Sequence, residues 1–170
     1  MKKLFSILFI VFSISFTDAE DVLFKSNDSK TKLTATDQWK AVGDMKGVEI
    51  FITRKNRSTG IPATIVVSKD EGLKEGIDLK TYSARKIFLQ TAVLNTTPSV
   101  VGETSINGRS FKFFEYEYDN KDLLKMKSLV YHTLFGTTGY QLVVTTDSES
   151  FDQNKPFYLK ILNSLQVTIL

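Results

Sequence analysis

The chain has 170 residues, with 22 lysines and arginines against 19 aspartates and glutamates, one histidine and no cysteine. A formal charge of +3 demands no polyanionic partner. The missing cysteines exclude thiol catalysis, thiol redox chemistry, cysteine-ligated zinc and disulfides.

Lys2 and Lys3 precede an apolar run, Leu4 to Phe16, broken only by Ser6, Ser13 and Ser15. Thr17-Asp18-Ala19 then supplies small residues ahead of a cut after Ala19. This is the layout of a cleavable export signal, and the run is too short to span a bilayer comfortably. With no cysteine at the cut, a lipid anchor there is excluded. Removal of residues 1–19 leaves 151 residues, enough for one domain with its own core, in the periplasm or secreted. Residues 20–30 (EDVLFKSNDSK) are mostly polar and read as a flexible lead-in to one globular domain over 31–170.

Period-two alternation marks strands at Val48, Ile50, Ile52 and at Ala63, Ile65, Val67, joined by a loop from Arg54 to Gly60. From Asp78, a helix cap, the period becomes helical: Leu79, Tyr82, Leu89 and Val93 recur, with Phe88 and Ala92 widening the stripe. Pro98 ends it. Asn107-Gly108 is a strong hairpin signal, because both residues tolerate positive φ. In the return strand Phe111 and Phe113 take one phase and Phe114, Tyr116 and Tyr118 the other, which predicts a β-bulge or a strand covered on both faces. Strands over Leu124–Phe135 and Tyr140–Val144 follow. A last helix carries Phe157, Ile161 and Leu165, with Pro156 expected in its first turn. Short turns between the late strands make the sheet antiparallel. The expected fold class is α+β: a single antiparallel sheet with a helix on each face, an α/β/α sandwich.

That order resembles the PsbP-like fold, shared by the extrinsic PsbP protein of photosystem II, a nuclear-transport factor acting on the GTPase Ran, and DcrB-like envelope proteins. The matching landmarks are Trp39, Ala63 to Val67 before the helix, the Ile106-Asn107-Gly108-Arg109 hairpin, Tyr140 to Thr146, and Ile161 to Leu165. The likeness spans about residues 30–167 and rests on packing positions. It implies action by binding other proteins or supporting an assembly, and carries over no functional residue.

Candidate chemistry is thin. His132 is the only histidine and shares a strand face with Met126, Val130 and Leu134, the setting of a packed core residue. Glu115 and Glu117 could share a cation but read more simply as the solvent side of an aromatic strand. Asp147, Glu149 and Asp152 have the charge of a calcium loop without its spacing. No Gly-x-Ser-x-Gly elbow, phosphate loop or dinucleotide fingerprint occurs.

The reading is therefore a non-catalytic, cofactor-free accessory protein of the cell envelope, not an enzyme. Its partner would be another envelope protein or assembly, with an anionic membrane surface as a further option and no nucleic acid. Oligomeric state is open. Arg54, Lys55 and Arg57 on the first loop, and Lys125 and Lys127 on a later strand, are the candidate partner contacts. The alternative is a carrier of a small apolar ligand held between sheet and first helix, lined by Phe111, Phe113, Phe114, Tyr116 and Tyr118.

Overall fold

The computed structural model describes residues 19–43, 45–55 and 61–168, so the export signal up to Asp18 and the loop holding Arg57 lie outside the described residues. In chain order the elements are strands β1 (Asp21–Lys25), β2 (Thr31–Thr36), β3 (Trp39–Ala41), β4 (Val48–Arg54) and β5 (Thr64–Asp70), then helix α1 (Leu79–Leu94). Strands β6 (Val100–Ile106), β7 (Arg109–Asp119), β8 (Lys125–Phe135) and β9 (Thr138–Asp147), helix α2 (Ser148–Asn163) and β10 (Gln166–Val167) complete it.

Among the described residues there are two sheets, not one. Seven strands in the order β3-β4-β5-β9-β8-β7-β6 form the main sheet, and β1-β2-β10 a small second one. All pairings are antiparallel. The segment read as a flexible lead-in holds β1, whose Phe24 pairs with Leu33. Its polar positions mask the strand in sequence, since Asp21, Leu23 and Lys25 face out and only Val22 and Phe24 turn in.

The helices cover opposite faces of the main sheet. Leu129 and Tyr131 of β8 join Leu142, Val144, Phe151, Tyr158 and Leu162 in the principal core, which the small sheet closes with Leu33 and Ala35. The other face is thinner: Phe114, Tyr116 and Val130 are buried there, with Ile87 and Leu94 of α1 packed on them.

Strand β7 needs no bulge. Its ladder to β8 runs without a break from Lys112↔His132 to Asp119↔Lys125, so the phase change is plain alternation on a strand covered on both sides. The irregularity falls in β4 instead, between Val48 and Ile50. Pro156 sits inside α2 rather than in its first turn. It lies on the exposed side, where the carbonyl it cannot bond is open to water.

Candidate functional site

The ends of α1 follow from local chemistry. The Asp78 carboxylate accepts hydrogen bonds from the Thr81 backbone N–H (2.7 Å) and hydroxyl (3.0 Å), and Asn95 closes the helix in the left-handed region at φ 48°. Its facing, however, reverses the expectation. Tyr82 and Ser83 are the buried residues, while Phe88 is 70% exposed, Leu89 58% and Val93 84%. The stripe of Leu89, Val93 and Phe88 looks outward.

Other apolar side chains are exposed too. Beyond α1, Thr96 donates its hydroxyl to the Glu117 carbonyl (2.5 Å), and the Ser99 N–H donates to the Glu115 carbonyl (2.8 Å). The end of the helix, the start of β6 and the β7–β8 turn therefore meet at one end of the molecule. Val101 (63% exposed) and Leu123 (82%) stand there, and a cavity of about 350 Å³ opens between Leu94, Asn95, Tyr118 and Lys125. Helix α1 contains Lys80, Arg85 and Lys86 and no acidic residue.

A polar node holds α1 down. The Tyr82 hydroxyl donates to Asp70 Oδ2 (2.6 Å), and Lys86 Nζ lies 2.6 Å from the same oxygen. Burial alone would raise the Asp70 carboxyl; the Lys86 and Tyr82 hydrogen bonds outweigh it and hold the group below the usual carboxylate range. Ser83 Oγ hydrogen-bonds His132 Nδ1 at 2.9 Å, and Gln141 stands opposite His132 on β9 as its other polar neighbour. Burial, with the Lys86 charge nearby, lowers His132 to about 4, so it is neutral at pH 7. The composition is that of a hydrolase triad, but Asp70 is engaged by Tyr82 and Lys86, and both Ser83 and His132 are buried. As folded, the pair fastens helix to sheet. Only His132 was visible in the sequence; a mid-helix serine gives no signal of its own.

On the opposite face Glu115 is buried, not solvent-facing as expected, and Glu117 alone is exposed. Lys155 of α2 bonds the Glu115 carboxylate, and Lys127 lies 4.0 Å from its other oxygen and 2.7 Å from Asp152. Asp147 caps α2, accepting from the Ser150 N–H at 2.8 Å. Among the described residues no three acidic or histidine side chains converge as metal ligands would.

Of the candidate contacts, Arg54 is turned inward, donating to Asn154 (3.3 Å) and Gln38 (3.4 Å). Lys55 and Lys125 are exposed, Lys127 is committed to its acidic neighbours, and Arg57 lies outside the described residues. The five aromatic residues do not share one lining. Phe111 and Phe113 face α2, where both meet Tyr131, whereas Phe114, Tyr116 and Tyr118 face α1.

No family model and no curated protein matches the chain. Solved structures do. Cyanobacterial PsbP (CyanoP) from Synechocystis sp. PCC 6803 is 13% identical with a TM-score of 0.63, over 91% of this chain and 96% of that one. LpqN of Mycobacterium tuberculosis, described as involved in cell envelope biogenesis, gives 14% and 0.62 over 89% and 92%. PA94 of Pseudomonas aeruginosa, of unknown function and described as a putative regulator, gives 12% and 0.62 over 89% and 99%. At such identities the likeness shows the fold alone, and the fold is PsbP-like.

Proposed function

We propose that this chain is an exported, non-catalytic accessory protein of the cell envelope that acts by binding another protein through the outer face of α1. One observation carries the reading: Phe88, Leu89 and Val93 are displayed to solvent together on the outer face of one helix. Exposed apolar side chains gathered on one surface mark contact sites, because leaving them in water forgoes the stabilisation of burial. The envelope setting is supported by the amino-terminal signal pattern and by the description of LpqN as an envelope-biogenesis protein. Among the described residues no helix is long and apolar enough to cross a membrane.

A photo-crosslinking residue placed at Phe88 or Val93 in the native host should capture a defined partner, and one placed at exposed Lys40 should not. Capture should survive high salt if apolar contact dominates. Loss in salt would shift the reading to the basic contacts Lys55, Arg57 and Lys125. Equal labelling from all three positions would overturn the α1 surface.

A further inference from the structure

On the side of the main sheet away from α1, an open cavity of about 410 Å³ lies between the β6–β7 hairpin, the end of β8 and β10. Phe111, Phe135, Leu165 and Val167 line it together with the polar Asn107 and Gln166. Arg109 also lines it. The guanidinium of Arg109 lies over the Phe135 ring, 3.7 Å from its centroid, and Nη1 donates to the Leu134 carbonyl at 2.7 Å. Those two contacts fix the plane of the group. The surrounding frame is fixed too: Asn107 Nδ2 donates to the Leu165 carbonyl (3.3 Å), and Phe135 meets Tyr140 edge-on at 5.2 Å.

Arg109, like Arg54 and Arg85, has no acidic partner among the described residues; what sets it apart is a guanidinium held over Phe135 and by the Leu134 carbonyl at a cavity. The ion pairs of the described residues engage Lys69, Lys86, Lys112, Lys127, Lys155 and Lys160, and none engages Arg109. A guanidinium has five N–H donors in a planar fork, and a backbone carbonyl satisfies part of that capacity without neutralising the charge. An oriented cation without an acidic partner, at a hollow lined by both polar and apolar side chains, has the chemistry of a carboxylate receptor.

The geometry points to a binding site for a small organic acid, with its carboxylate on Arg109 and its apolar body over Phe111 and Phe135 against Leu165 and Val167. The volume is in the range of small-molecule sites. Much of the orientational cost on the protein side is met before binding, because Phe135 and Leu134 already hold the fork. The site is independent of the α1 surface and lies on the other face of the sheet, away from the space beneath α1.

Octanoate and 3-phenylpropionate serve as probes, with octanol as the uncharged counterpart of the first. Titrated into the isotopically labelled mature protein, both acids should shift the amide resonances of Phe111, Leu165 and Val167 saturably, and octanol should bind at least about tenfold more weakly. Arg109→Met keeps an apolar stem over Phe135 and should lose octanoate affinity by a similar factor. Should that variant unfold, Gln166→Trp, at an exposed position that lines the cavity, should occupy it and abolish the shifts. Octanol binding as tightly as octanoate would reduce the site to a greasy groove and overturn the role of Arg109. No saturable shift at about 10 mM of either acid, beyond the millimolar range of weak sites, would overturn the site itself.

Discussion

Ser83 Oγ and His132 Nδ1 lie 2.9 Å apart beneath α1, a hydrogen bond between the helix and the middle of the main sheet. Tyr82 and Phe114 pack their rings against the same imidazole, at 5.7 and 5.4 Å between centroids. Lys86 and Asp70 are the charged groups around it, from α1 and β5. Part of the attachment of α1 therefore runs through a histidine that is neutral at pH 7.

Acid should loosen that attachment. His132 titrates near its ordinary 6.5 in the unfolded chain and near 4 when folded, so the unfolded state binds the extra proton between those values. Stability from this group is fully present above about pH 6.5 and falls as the pH drops towards 4, by on the order of 3 kcal/mol in full. Asp70, held low, adds its own loss further into acid. Urea denaturation of His132→Gln from pH 7 to 4 should lack the slope of the parent and cost little at pH 7. An unchanged slope would place the titrating group elsewhere.

Gly139 should not accept a side chain. A Cβ there would run into the Tyr82 ring, at carbons fixed by the bond to Asp70. Gly139→Ala should cost about 1–3 kcal/mol. Adding Tyr82→Leu should recover part of that loss, a coupling visible in a double-mutant cycle. Additive losses would show that the ring is free to move aside.

The Glu115–Lys155 pair should matter more than a surface ion pair. Glu115 is 3% exposed, so Lys155→Met strands a buried carboxylate with only the more distant Lys127. Breaking a buried pair costs about 3–5 kcal/mol, and the partial exposure of Lys155 reduces this to about 2 kcal/mol. Lys155→Met with Glu115→Leu should regain much of it. A loss under 0.5 kcal/mol for the single change, the size of an ordinary surface effect, would count against the pair.

Processing after Ala19 should leave the fold whole. Glu20 would become the first residue, one before β1, and its carbonyl already accepts from the Asp37 N–H at 2.8 Å. Intact-mass analysis of the exported protein should find Glu20 at the amino terminus. Full-length protein in a membrane pellet would contradict the signal reading.

What the sequence disclosed was local. Asn107 and Gly108, at φ 51° and 75°, and the caps Asp78 and Asn95 are written in the residues that perform them. The facing of α1 is not, because its inner side mixes Ser83, Ile87, Gln90 and Leu94 while the better apolar stripe points to solvent. Glu115 looked solvated because its partner lies 40 residues away on α2. Strand β1 was hidden because its identity depends on β2, and the Arg109 cavity because it needs β10 beside a distant hairpin. The Glu115 partner and the Arg109 cavity are long-range pairings that no local pattern encodes.

Strand β10 has a consequence for how the chain can be delivered. It pairs with β2, and the nearby bonds between Thr34 and Ser164 span 130 residues. A chain threaded amino end first through a narrow pore must leave one edge of β2 unpaired until Gln166 and Val167 emerge. Helix α2, which covers the principal core, arrives only just before. The same arrangement makes trimming at the carboxyl end far more damaging than its two-residue strand suggests, since it would open the small sheet and the core behind it together.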